Sequence, residues 1–225
     1  MGDRAYDYVL DKIITNEYSP GTKITEVEIC KALNISRTPV RQAIHRLESE
    51  GLAYRIKGVG AIVSEITYED IIEIFEIRTL YELHAFKSYF KNVSEEELID
   101  LRNRLLSLDS NSGKQEYYDI DRAIHNSIMK HCLNSRMLSN LKTLNSQIEK
   151  FRRVSAANPK RLSKSKEEHL TIIEAILKKD ENKACESLEQ HLTEVRNSVI
   201  EVYQYSKLHY DYDKSKVRKV KAIDF

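Results

Sequence analysis

Apolar residues along this chain recur in two different rhythms. Over residues 3–17, Ala5, Tyr6, Val9, Ile13 and Ile14 repeat at steps of three and four, which predicts an amphipathic helix. Ser19-Pro20-Gly21 then suits a type II turn, with glycine supplying positive φ. Residues 25–50 read as a short helix, a tight turn at Leu33-Asn34-Ile35, and a second helix. Thr25 and Ser36 stand at the two helix starts, Glu28 is placed as the capping-box partner of Thr25, and Gly51 stops the second helix. Pro39 falls in the first turn, where a missing N–H costs nothing. The rhythm then shortens to two β-rich runs, Leu52–Ile56 and Ala61–Ile66, joined by the glycine-rich tip Lys57-Gly58-Val59-Gly60. From Thr67 onward the period is helical, interrupted by a single glycine (Gly113) and a single proline (Pro159). Helices are expected near 68–91, 94–109, 114–132, 135–155, 163–178 and 181–207.

The fold class expected is mainly α. A winged helix-turn-helix domain over 1–66 precedes an antiparallel all-α bundle over 67–207, and a basic tail over 208–225 follows. The helix pair carries the first functional signal. Ser36, Arg37 and Thr38 open the second helix, and Arg41 follows Arg37 by one turn on the same face. Such a helix enters the DNA major groove by its N-terminus. Arg55 and Lys57 place positive charge near the hairpin tip, within reach of a minor groove or a phosphate.

Composition narrows the setting. With 41% hydrophobic and 32% charged residues the chain reads as a soluble globular protein. A net charge of +1 means that any DNA-binding surface must be local. Three scattered cysteines, Cys30, Cys132 and Cys185, argue against a disulfide framework and for a reducing cytoplasm. No apolar run is long enough to span a bilayer, so no membrane role is expected.

A second constellation lies in the helical half. Asp121 and His125 are four residues apart and leave one face of a helix. His169 and His191 are equidistant from Asp180, inside the polar break Lys178–Asn182. If the flanking helices fold back about that break, the two imidazoles come level, with Ile172, Ile173 and Ile176 beside one and Leu188, Leu192 and Val195 beside the other. These four side chains would suit a divalent ion such as Zn2+ or Ni2+. They would equally serve as hydrogen-bonded residues of the bundle interior, and spacing alone leaves both readings open. Arg78 shares a face with Ile71, Ile74, Phe75 and Ala85, so its guanidinium needs an anion. Glu82 one turn later, or a bound carboxylate, would serve. Arg152 and Arg153 raise the same question, with ordinary protein partners as the simpler answer.

With both constellations in place, residues from about 3 to 206 resemble GntR-family transcription factors of the FadR type, whose C-terminal half is the helical FCD ligand-sensing domain. The resemblance rests on Ser19–Ile24, the run Ser36-Arg37-Thr38-Pro39-Val40-Arg41, Arg46–Leu52, and Gly60-Ala61. In the second half it rests on Arg78-x3-Glu82, Asp121-x3-His125, Asn134-x3-Leu138, His169 and His191. It implies a homodimeric regulator, most simply a repressor, on a pseudo-palindromic double-stranded operator. Ser36, Arg37, Thr38, Arg41, Arg46 and Lys57 would face DNA, and Gly60 would let the wing approach the backbone. It also implies a divalent metal held by Asp121, His125, His169 and His191, with a small carboxylic acid as effector near Arg78 and Asn134. Gln42 and Val27 depart from the family, which usually has Glu at the first and often a charge at the second. Two alternatives belong to other classes: a regulator for which the ion itself is the signal, and a metal-dependent hydrolase fused to a DNA-binding module. Against the hydrolase, Glu168 is the only nearby general base, and adjacent helix residues do not share a face with His169. The chain is therefore not expected to be an enzyme.

Overall fold

A computed structural model describes residues 2–109, 111–156 and 159–221, except for the side chains of 142, 143, 145, 153, 154, 156, 159 and 205–221. The order of elements is α1 (Gly2–Ile14), β1 (Lys23–Ile24), α2 (Glu26–Leu33), α3 (Arg37–Ser49), β2 (Ala53–Ile56), β3 (Gly60–Val63), α4 (Tyr68–Asn92), α5 (Glu95–Ser107), α6 (Lys114–Lys130), α7 (Ser135–Ala156), α8 (Pro159–Leu177) and α9 (Glu181–Lys221). The two-residue strand β1 escaped the sequence reading because so short a segment has no period. It is held by pairing: Lys23 opposes Ile62 and Ile24 opposes Ala61, which makes an antiparallel sheet of order β1-β3-β2.

Behind that sheet Val9, Ile13, Ile29, Val40, Ile44, Leu47, Leu52 and Val63 form one buried core. α2 ends on Asn34 in the left-handed region at φ 52°, and Gly51 closes the end of α3 at φ 73°. The side chains of Thr25 and Ser36 make no capping hydrogen bond, unlike the capping box expected at Thr25. Thr67 does cap α4, in a capping box with Asp70.

α4 runs through the helical half and organises it into layers. Phe75 joins Ile71, Ile74, Leu141, Ile148, Phe151, Val195 and Val199 in one apolar cluster. Ala85 and Phe86 join Leu98, Leu105, Ile124, Ile128, Ile172, Ile176, Leu188 and Leu192 in another. Between these stretches of α4 stand Arg78 and Glu82, both almost wholly buried. The bundle is thus two oily compartments with a polar storey between them.

α9 extends to Lys221 rather than stopping near 207, since nothing in 207–221 is a glycine or proline that would end it. The side chains of the basic run Lys214–Lys221 lie outside the described residues. Among the described residues no helix is long and apolar enough to cross a membrane.

Candidate functional site

The polar storey gathers side chains from α6, α8 and α9. Asp121 and His125 stand one turn apart on α6. α8 and α9 are joined by a turn in which Lys179 takes φ 60° and the Asp180 carboxylate accepts the Lys183 N–H at 3.0 Å. That turn folds the helices back on each other, and the His169 and His191 rings meet with centroids 4.2 Å apart. The level placement expected from their equal spacing about Asp180 is therefore met. One ligand atom from each of Asp121, His125, His169 and His191 lies within 4.8 Å of the others. His125 Nε2 is 3.2 Å from His191 Nε2, and Asp121 Oδ1 is 3.8 Å from His125 Nε2 and 3.7 Å from His169 Nε2.

The outer edges of the imidazoles are held too. Glu82 contacts His125 Nδ1 at 2.5 Å, Glu168 contacts His191 Nδ1 at 2.7 Å, and the Ser165 hydroxyl is 3.5 Å from His169 Nδ1. A partner at Nδ1 fixes the ring and turns the Nε2 lone pair inward, which is how ligating histidines are oriented. At the centre, His169 Nε2 is buried with no hydrogen-bond partner among the described residues, while Asp121 Oδ2, also without one, stands 3.6 Å from Arg152 Nε. Buried polar atoms rarely stay unpaired. Burial holds His169 and His191 well below the usual histidine range, and so neutral, as a metal ligand must be. Burial pushes the Asp121 carboxyl up, but the positive charge around it, the Arg152 guanidinium included, outweighs burial and keeps it ionised. The residues present fit a divalent ion.

Beside the cluster opens a small cleft bounded by α4 to α9. Arg78 Nε bonds Glu82 at 2.7 Å, so the partner on its own helix is real. Its Nη1 nevertheless has no partner among the described residues, and Arg78 lines the cleft. Sequence reasoning passed over Arg161 and leaned away from Arg152, yet both line the same cleft and are buried. A break at Pro159 hid the first, since no periodic pattern reaches across it. Asn134 is a correction. Its side chain accepts the Arg136 and Met137 N–H groups at 3.1 and 3.2 Å, so it starts α7 from an exposed position and does not line the cleft. Asx residues favour such capping over ligand contact. Glu168 does face the cluster, through His191 on α9 rather than through its neighbour His169.

At the other end of the molecule, Ser36, Arg37, Thr38 and Arg41 are exposed along the first turns of α3. His45, given no role from sequence, continues that stripe one turn beyond Arg41. Because Ser36 does not cap, the first N–H groups of α3 stay open, and a helix N-terminus attracts anions. Arg41 Nε pairs with Glu26 at 3.0 Å. Lys57 is exposed at the hairpin tip, and Gly60 takes φ 116°, a conformation that needs glycine there. Val27, one of the family departures, is exposed on α2.

Arg46 is the second correction. Nine residues after Arg37, it projects from roughly the opposite side of α3. Its guanidinium lies 3.7 Å from the centre of the Tyr6 ring and bonds Glu50 at 3.0 Å and Asp3 at 3.5 Å. It ties α3 to α1 while staying half-exposed, on the side of α3 away from Arg37.

Residues 1–63 match the family described as bacterial regulatory proteins, gntR family, and residues 73–194 match the FCD domain. The chain belongs to the GntR family. Similar relatives include the Nta operon transcriptional regulator of Aminobacter aminovorans, 26% identical over 198 residues and covering 84% of this chain and 94% of that one. The gluconate operon transcriptional repressor of Bacillus subtilis (strain 168) is 28% identical over 206 residues, 85% of this chain and 82% of that one. Among solved structures, a GntR regulator from Rhodococcus sp. RHA1 shares the fold at TM-score 0.72 and 18% identity, over 88% of this chain and 97% of that one. The Zn2+-bound FCD domain of TM0439 shares it at TM-score 0.54 and 24% identity, over 61% and 96%. These families and relatives are transcriptional regulators, not enzymes, so this GntR-family chain is one too.

Proposed function

We propose that this protein is a FadR-type repressor, working as a homodimer in the cytoplasm, that binds a pseudo-palindromic operator and is controlled by a small carboxylic acid. Residues 1–66 would be the DNA-binding unit and 67–207 the sensor. Ser36, Arg37, Thr38 and Arg41 would enter the major groove, with His45 behind them. Lys57 would reach a phosphate, and Gly60 would keep the wing close to the backbone. Asp121, His125, His169 and His191 would hold the divalent ion. Zn2+ is favoured over Ni2+ by the four-atom N3O donor set, and a fold relative is known in Zn2+-bound form. A bound ion would supply a fixed positive centre for the acid's carboxylate. Arg78 would meet the same group with its free Nη1.

One observation carries this reading: three buried imidazoles, each held at Nδ1, converge with Asp121 in a chain that also bears a recognition helix. A repressor needs its effector to bind the DNA-competent and DNA-incompetent states unequally. Operator fragments are to be selected from genomic DNA by the purified protein, and affinity then titrated with short carboxylic acids before and after chelation. Elemental analysis and native mass spectrometry of the same sample would report metal and subunit number. Tight DNA binding that no acid alters in metal-replete protein would refute acid control. If added metal alone controlled DNA affinity, the ion would be the signal.

A further inference from the structure

The cleft beside the metal cluster holds more positive charge than one carboxylate accounts for. Three guanidiniums line it, from α4 (Arg78), α7 (Arg152) and α8 (Arg161), and each is at least nine-tenths buried. Among the described residues, four of their nitrogens are buried with no hydrogen-bond partner: Arg78 Nη1, Arg152 Nε, and Arg161 Nε and Nη1. Lys166 lines the same cleft and rests on the Leu108 carbonyl at 2.6 Å.

The resident carboxylates are already engaged. Glu82 bonds both Arg78 and His125, and Glu168 bonds both Arg161, at 2.7 Å, and His191 through the same Oε2, while its Oε1 is buried with no partner among the described residues. Glu149 takes Arg152 Nη1 at 2.9 Å. Asp121 stands 3.6 Å from Arg152 Nε, but its carboxylate belongs to the proposed ligand set. An unpaired N–H on a buried guanidinium carries the full cost of its lost hydration. Guanidinium forks match carboxylate and phosphate oxygens two at a time. Arg78 and Arg152 share the Glu82 side of the cleft, Arg152 Nη2 standing 3.9 Å from Glu82. Arg161 instead stands on the Glu168 side with two free N–H groups of its own.

We propose that the effector is a short dianion: one anionic group lies on the metal side with Arg78 and Arg152, and a second is seated on Arg161 with Lys166. This deepens the acid-sensing reading above and rests on it. The cleft is narrow: even counting its open mouth and the gaps between atoms, its free space is about 480 Å3, and the enclosed part is far smaller, so the ligand is a short acid. The second group is a carboxylate or a phosphate, since both fit a guanidinium fork.

The test uses full-length, metal-loaded, dialysed protein and calorimetric titration with acetate and lactate as monoanions, then malonate, succinate and 3-phosphoglycerate. At least one of these three acids, each with two anionic groups, is expected to bind ten-fold or more tighter than either monoanion, and succinate against 3-phosphoglycerate, whose phosphate adds about one further charge, distinguishes carboxylate from phosphate. Arg161→Gln is expected to collapse the dianion-to-monoanion affinity ratio toward one. Lys166→Gln is expected to lower it several-fold, and it serves if the first variant does not fold. Dianions binding no tighter than acetate would overturn the proposal while leaving acid sensing intact. Failure of every acid to bind metal-loaded protein would instead overturn the acid-sensing reading itself.

Discussion

Glu50 closes the recognition helix and is buried between the two halves of the chain. Its carboxylate accepts the Tyr6 hydroxyl of α1 at 2.5 Å, Arg46 Nε of α3 at 3.0 Å, and the Ser146 hydroxyl of α7. Its backbone carbonyl accepts Gln147 Nε2 at 2.7 Å. Gly51 beside it is favoured by its φ of 73°, and a Cβ there would also come within 2.6 Å of that same Nε2 and push the Gln147 side chain aside. Consider Glu50→Ala. A hydrogen bond to a charged group is worth about 1.5–3 kcal/mol. The Tyr6 and Ser146 bonds belong at the low end, because those hydroxyls lie 3.0 Å apart and can still pair with each other. The Arg46 bond is half-exposed and adds well under 1 kcal/mol. Glu50→Ala should therefore cost roughly 3 kcal/mol, and Glu50→Gln, which keeps an acceptor, about half as much. Urea unfolding of the full chain followed by circular dichroism measures this, and the Glu50→Ala/Ser146→Ala double-mutant cycle should return a coupling of about 1 kcal/mol. A Glu50→Ala chain within about 0.5 kcal/mol of the parent would show that the buried carboxylate does not join the two halves.

Three further outcomes are expected. Arg37→Ala should weaken operator binding by roughly 1–3 kcal/mol and relax its sequence preference if Arg37 reads a base, whereas Arg46→Ala should leave base preference unchanged in competition assays and lower stability instead. His169→Ala should lower metal content by elemental analysis to well below one ion per chain, whereas mutating exposed His45 should leave it unchanged. Burial, and then the bond to Glu50, push the Tyr6 phenol up to about 12. An unfolded tyrosine ionises near pH 10, so between about pH 10 and 12 the unfolded chain releases a proton that the folded one keeps. Stability attributable to Tyr6 is complete below pH 10 and falls by about 2–3 kcal/mol as pH rises to 12. Tyr6→Phe should flatten that part of the alkaline unfolding profile, and a variant with the parent's profile would contradict the assignment.

Most helices were legible from period because local residues decide them: Gly51 after α3 and the break about Asp180 act within a few positions, although the side-chain caps expected at Thr25 and Ser36 do not form. The two halves of the cluster were legible for a related reason: helical rise sets Asp121 beside His125, and one reversal sets His169 beside His191, but the meeting of the two pairs depends on α6 packing against α8 across the whole of α7, and only the family resemblance implied it. What stayed hidden is set by distant chain. β1 exists only because β3 is beside it. Arg46 and Arg37 look alike in sequence, and only the presence of Tyr6 and Asp3 on α1 assigns the first to packing. Arg161 reads as one charge in a polar stretch until α4 and α7 bring Arg78 and Arg152 to the same cleft.

The same helix that supplies Arg152 to the cleft supplies Ser146 and Gln147 to the buried contact with Glu50. Ser146 and Arg152 are six residues apart on α7, about 9 Å along a rigid helix. If a ligand draws Arg152 inward and α7 shifts with it, the seat of Glu50 shifts too, and Glu50 is the last residue before the chain leaves the recognition helix. The two sites would then bias one shared element, which is the physical requirement for coupling between them. By linkage, whatever factor an acid takes from DNA affinity, DNA must take from acid affinity. Ser146→Ala, which removes a hydroxyl but neither site, should shrink both factors equally when acid titrations with and without operator are compared. If both factors stay at the parent's values, α7 is not the element that carries the signal.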